Sequence, residues 1–154
     1  MDKIINDEIY MQLALEKARV AFDLGEIPVG AVVVKNNEIL SFGFNERETG
    51  KSATAHAELL AIERACSKIG SWRLHGCTLY VTLEPCPMCS GAIINSRIER
   101  VVCALKDPKA GALGSVLDMN SYPLNHKCKV EFGLMENESR RLLEGFFEQL
   151  RLKR

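Results

Sequence analysis

In the stretch "TLEPCPMCSGAI", residues 82–93, Cys86 and Cys89 stand three residues apart, with prolines at 85 and 87 flanking the first. On a helix that spacing puts both sulfurs on one face. A helix N-terminus favours negative charge, so it lowers the thiol pKa and holds the thiolates that bind zinc. His56 opens a second helical segment, two residues before Glu58, in "TAHAE". In mid-helix, residues two apart point roughly 200° away from each other. At a first turn the site lies ahead of the helix end, and both side chains can approach it. His56, Cys86 and Cys89 then supply three zinc ligands. A structural zinc takes four, so three leave a position for water, whose pKa zinc lowers to about 7. Glu58 is the expected proton carrier, taking a proton from water and delivering it to the substrate. A redox Cys-x-x-Cys has no need of His56 and Glu58. A closed structural site needs another ligand, and His75 and His126 are the only other histidines.

These groups must be positioned by the elements around them. Asn6 is placed to cap a helix to Leu24, with Ile9, Leu13, Ala14, Ala18, Ala21 and Phe22 on its apolar side and Gly25 at its end. "PVGAVVV", 28–34, is an apolar, β-branched run and predicts a buried strand. Asn36-Asn37 predicts a turn, with a return strand over 39–44. Thr54 is placed to cap a helix to Ile69, ending at Gly70. Strands follow over 78–83, 100–105 and 130–134, a short proline-opened helix over 85–95 and a last helix over 136–151. Residues 106–127 read as a long loop. Strands alternating with helices after an initial hairpin predict an α/β fold, a three-layer α/β/α sandwich around one five-stranded mixed sheet. In such sheets ligands bind beyond the carboxyl ends of strands. Both chemistry-bearing segments follow strand-to-helix junctions.

The 154 residues, 47% hydrophobic and 26% charged, suit a single domain over 1–154 with a real core. Twenty basic residues balance twenty acidic ones, which excludes a wholly basic nucleic-acid-coating surface but not a local basic patch. No apolar run is long enough for a membrane helix, and the charged start at residues 1–8 does not resemble a secretory signal. The expected setting is cytoplasmic, with no membrane partner and no organic cofactor. In that setting Cys66, Cys77, Cys103 and Cys128 read as core residues.

His-x-Glu followed by Pro-Cys-x-x-Cys is the known signature of zinc-dependent deaminases. Beyond it, the chain resembles bacterial tRNA-specific adenosine deaminases, within the cytidine/deoxycytidylate deaminase superfamily. The resemblance runs through "IPVGAVVV" at 27–34, "GFN" at 43–45, "TAHAE" at 54–58, "LYVTLEPCPMCSGAI" at 79–93, "SRIERVV" at 96–102, "KDPKAGALGS" at 106–115, "NH" at 125–126 and "FF" at 146–147. It implies a cytidine-deaminase-like fold, a homodimer with one zinc per subunit, and hydrolysis of adenosine to inosine at the wobble position of a tRNA anticodon. It makes His56, Cys86 and Cys89 the zinc ligands and Glu58 the proton shuttle. It turns the Ala57 backbone N–H toward the base and gives Asn45 a hydrogen bond to the target nucleoside. It lines the base pocket with Pro28, Val29, Leu83 and Pro85, and puts Asp107 in a loop gripping the neighbouring nucleotide. The chain departs from the family at Ser52-Ala53, where Asp-Pro is common.

A single-stranded anticodon nucleotide is cheaper to splay out than a base in a duplex. The zinc motif alone is shared with deaminases of free bases, nucleosides and nucleotides, such as guanine, cytosine, cytidine or deoxycytidylate, and that alternative stands. Asn45 and Asp107 also read as ordinary turn residues. Phe146 and Phe147 read as core packing or as a base-stacking platform. Lys106, Lys109, Arg140, Arg141 and the terminal Arg151-Leu152-Lys153-Arg154 read as a phosphate-binding patch or as a solvated surface.

Overall fold

The structure is a computed structural model that describes residues 3–153. Helix α1 (Lys3–Asp23) precedes strands β1 (Gly30–Lys35) and β2 (Glu38–Phe44). Helix α2 (Ala57–Ile69), β3 (Cys77–Val81), α3 (Pro87–Asn95), β4 (Arg100–Cys103), a 3-10 turn at Met119–Ser121, β5 (Lys129–Phe132) and α4 (Glu136–Leu152) follow. The five strands form one sheet in the order β2-β1-β3-β4-β5. β1 is antiparallel to both β2 and β3, whereas β3, β4 and β5 run parallel. Asn36 and Asn37 both take positive φ, 50° and 62°, the backbone a two-residue hairpin turn requires.

Strand β1 is apolar on both faces because both faces are covered. Ala31 and Val33 pack with Ala57, Ala61 and Ala65 of α2 and Ile93 of α3. Val32 and Val34 face the other way, toward Tyr10, Met11, Ala14 and Leu15 of α1, with Leu142 of α4 against the same cluster. The period-two alternation of β1 thus divides the core into two halves, one on each side of the sheet. The result is the expected three-layer sandwich.

Some local expectations give way to tertiary contacts. Asn6 lies inside α1 instead of capping it, and donates to the Asn37 side chain in the hairpin turn. Ile9 is 45% exposed, because the buried stripe of α1 runs through Tyr10, Met11, Ala14, Leu15, Ala18 and Ala21. Thr54 does not cap α2, whose N-cap is His56. The Ala55 carbonyl accepts from the Glu46 N–H, and that bond holds residues 52–56 as a separate turn. Gly70 ends α2 as expected, in the left-handed conformation at φ 72°.

Two features seat the start of α2. Ser41 Oγ of β2 donates to the Ala61 carbonyl at 2.6 Å. At Gly43 a Cβ would lie 2.5 Å from the Ala57 carbonyl oxygen, so the absence of a side chain lets the first turn of α2 rest on the strand. On the opposite layer a buried ionic group ties α1 to the sheet. The Arg100 guanidinium donates twice to Asp7, at 2.6 and 2.9 Å, and also to Glu131, while the Tyr80 hydroxyl donates to Asp7. Among the described residues no helix is long and apolar enough to cross a membrane.

Candidate metal centre and adjoining cavity

Two helix starts meet at the site. His56 is the N-cap of α2 and Cys86 the N-cap of α3, both in extended backbone, with Cys89 inside the first turn of α3. Extended backbone at an N-cap sends the side chain ahead of the helix, the geometry that the His-x-Glu spacing needs. His56 Nδ1 lies 3.6 Å from Cys86 Sγ and 3.5 Å from Cys89 Sγ. All three ligand atoms fall within 4.8 Å of one another. Zinc bonds of about 2.0–2.1 Å to nitrogen and 2.3 Å to sulfur in a tetrahedron imply an N···S separation of about 3.6 Å. The three residues therefore fit a tetrahedral ion, with the chain supplying three of its four corners. Among the described residues this metal-ligand group has three members. His126 lies elsewhere, its Nε2 at 2.7 Å from the Ile98 carbonyl oxygen.

The three groups are linked by hydrogen bonds and charge. Hydrogen bonds from Cys89 and His56 pull the Cys86 thiol down to about 4 against the opposing effect of burial. The Cys89 thiol moves the other way, raised by its bond to Cys86 and by burial. His56 is raised, first by its hydrogen bond to Cys86. Glu58 is 4% exposed, and burial pushes its carboxyl up to about 7, although the neighbouring His56 charge opposes the shift. A carboxyl with that affinity can both take and release a proton near neutral pH.

The cavity in front of these groups is about 230 Å³, below the roughly 300–1,000 Å³ of drug-sized clefts and on the scale of a single flat ring system. His56, Glu58 and Cys86 line it together with Val29, Asn45, Ala57, Leu83 and Asp107. Cys89 is fully buried behind it. Pro28 and Pro85 do not line it; both are buried in the surrounding wall. The Pro85 carbonyl instead accepts from Ser90 Oγ and the Ala112 N–H. Asn45 and Asp107 are turn residues and wall residues at once. Asn45 Oδ1 accepts from the Arg47 N–H at 3.0 Å, and Asp107 Oδ1 from the Lys109 and Ala110 N–H groups. Ala57 is the first residue of α2, so its N–H has no place in the helix ladder.

Four wall residues received no role from the sequence: Ile27, Arg47, Glu84 and Ala110. Glu84 lies inside the quoted motif, and a carboxylate following a buried strand is the signal that could have marked it. Arg47 gives no such signal within the polar run 45–53. A second hollow shares Ile27, Asn45 and Arg47 with the first and extends to Phe146, Phe147 and Leu150 of α4. Phe146 is buried, edge-on to Phe22, whereas Phe147 is 41% exposed at the rim. Of the basic residues, Arg140 pairs with Glu136 within α4, and Lys106 Nζ sits 5.3 Å from the Phe132 ring centroid. Lys109, Arg141, Arg151 and Lys153 are exposed, and Arg154 lies outside the described residues. Cys66, Cys77, Cys103 and Cys128 are free thiols that burial pushes up; Cys77, Cys103 and Cys128 are buried as expected of core residues, whereas Cys66 is half-buried against the core.

Comparison with known proteins places this geometry. The family model for MafB19-like deaminases matches residues 5–151. The tRNA-specific adenosine deaminase of Bacillus subtilis is 47% identical over 149 residues, covering 96% of this chain and 92% of that protein. Its counterpart from Aquifex aeolicus is 48% identical over 145 residues, covering 94% and 95%. A structure solved in a study of A-to-I editing by tRNA:A34 deaminases at the wobble position of transfer RNA superposes with a TM-score of 0.86. It is 42% identical and covers 88% of this chain and 99% of that one.

Proposed function

The chain belongs to the MafB19-like deaminase family, and on that premise we propose that it hydrolyses adenosine to inosine at the wobble position of a tRNA anticodon. The observation that carries the reading is the placement of a buried carboxyl, Glu58, beside the His56, Cys86 and Cys89 group at the floor of one base-sized cavity. Relatives named tRNA-specific adenosine deaminases, similar along nearly the whole chain, support the choice of substrate.

In this reading His56, Cys86 and Cys89 hold one zinc ion per subunit, which when bound lowers the pKa of water to about 7. Water adds to C6 of adenine, and the exocyclic amino group leaves as ammonia. Glu58 accepts a proton from the water and gives one to the departing nitrogen. Its buried carboxyl lines the cavity beside the ligand group, the position both transfers require. Val29 and Leu83 offer apolar surface to the faces of the base, and Asn45 and the Ala57 N–H offer polar fixing points at its edge. Asp107 stands in the loop beside the neighbouring nucleotide. The exposed Phe147 and Arg47 border the hollow that continues from the cavity, a surface suited to flanking nucleotides by stacking and by charge. The proposal includes a homodimer and a cytoplasmic setting, where tRNA is found.

The test is incubation with an anticodon stem-loop carrying adenosine at the wobble position, beside free adenosine, cytidine and guanine. Inosine in the stem-loop alone is expected. Ammonia from a free base with an inert stem-loop would leave the deaminase chemistry standing and discard the tRNA. Activity that survives complete removal of bound metal would overturn the role of zinc, and a monomeric mass in sedimentation at micromolar concentration would overturn the homodimer.

A further inference from the structure

Glu84 is 2% exposed and two residues before the ligand Cys86, and its carboxylate is hydrogen-bonded to the 107–115 segment. Oε1 accepts from the Asp107 N–H at 3.0 Å and from Ser115 Oγ; Oε2 accepts from the Leu113 and Ser115 N–H groups at 3.0 and 3.1 Å. Every one of these partners is a donor, so both oxygens act as acceptors. The segment closes tightly on the carboxylate. At Gly111 a Cβ would lie 2.3 Å from Glu84 Cδ and 2.5 Å from each oxygen. The same segment presents Asp107 and Ala110 to the cavity. Ala112 and Leu113 are buried, whereas Asp107, Pro108, Lys109 and Ala110 are half-exposed or exposed and have no apolar anchor of their own. One buried anion therefore gathers three separated backbone positions and sets the shape of one cavity wall.

We propose that Glu84 is a positioning residue that clamps the 107–115 segment into the conformation that receives the substrate nucleotide. The inference rests on the nucleotide substrate proposed above. Glu84 acts through the loop, not on the reacting atoms, and its loss should weaken substrate binding more than turnover.

Glu84→Gln is the test. An amide keeps the size of the side chain but turns an NH2 toward two of the four donors, whichever way it is oriented. Loss of hydrogen bonds to a charged group predicts a rise of about tenfold in KM for the stem-loop, with kcat within about threefold. Metal content should remain as in the wild type, and the amides of Asp107, Leu113 and Ser115 should exchange with solvent faster. Gly111→Ala, which presses on the carboxylate from the loop side, should give the same pattern. Ser115→Ala, which removes one donor, should give a weaker form and serves if Glu84→Gln does not fold. Loss of metal with collapse of kcat would overturn the proposal, because Glu84 would then support the metal group. Unchanged KM would overturn it, as would unchanged exchange at the three amides. A wild-type protein inert on the stem-loop sinks the substrate reading and not the clamp, which the exchange rates judge on their own.

Discussion

Gly43→Ala tests whether the packing of β2 on α2 sets the position of the chemistry. The added Cβ would lie 2.5 Å from the Ala57 carbonyl oxygen and 3.1 Å from the Ala61 nitrogen, where ordinary contact begins near 3.4 Å. The obstacle is backbone, so it cannot swing aside as a side chain would. The first turn of α2 must withdraw by about 0.9 Å, and His56 and Glu58 move with it. The shift also strains the 2.6 Å bond from Ser41 Oγ to the Ala61 carbonyl. Overpacking of this kind costs about 1–3 kcal/mol of stability. A misplacement near 1 Å lowers a reaction rate by about 10²-fold. The assay pairs urea denaturation with deamination kinetics on the stem-loop and metal content per chain. Stability should fall within that range, kcat should fall by about two orders of magnitude, and metal should be held less tightly. β2 is an edge strand and has room to yield outward. A variant that loses stability but keeps full kcat and metal would show that the strand gives way, and would refute the coupling.

Glu58→Gln should lower kcat by about 10²–10⁴ while leaving metal bound, because the amide fills the same space and carries no proton between atoms; metal analysis beside kinetics checks it. Asp7→Asn breaks one arm of the Arg100 cluster and should cost about 3 kcal/mol in urea denaturation; a change below about 0.5 kcal/mol would mean that Glu131 and Tyr80 suffice to hold Arg100. Glu26 is 1% exposed and accepts from the Glu48 and Thr49 N–H groups, which anchors the loop that carries Arg47. Burial works to raise its carboxyl, but the N–H bonds from Thr49 and Glu48 outweigh it, and the net direction is down from 4.5. Its contribution to stability is therefore full above that ordinary value and is lost as pH falls through the lower folded value. Glu26→Gln should flatten the acid limb of the stability–pH curve, and an unchanged limb would contradict the anchoring role.

The sequence by itself determined what depends on local spacing. Cys86 and Cys89 share a face because three residues make nearly one helical turn. His56 and Glu58 were legible as a pair because a helix start lets residues two apart converge. The apolar run of β1, the Asn36-Asn37 turn and the alternation of strands with helices named the sandwich, since each rests on short-range periodicity. The caps expected at Asn6 and Thr54 do not form, for the complementary reason. Propensity marks a residue able to cap, but the Glu46 N–H bond to the Ala55 carbonyl and the contact of Asn6 with Asn37 join residues beyond the reach of a helical turn. Only the tertiary structure decided the strand order, the burial that raises the Glu58 carboxyl, and the cavity wall. Arg47 and Ala110 come from segments more than sixty residues apart that the fold sets on one cavity. Glu84 has local neighbours that announce a metal ligand, while its own partners lie 23 to 31 residues further on. A hydrogen bond across such a distance leaves no periodic trace, because loop closure brings the groups together and spacing does not.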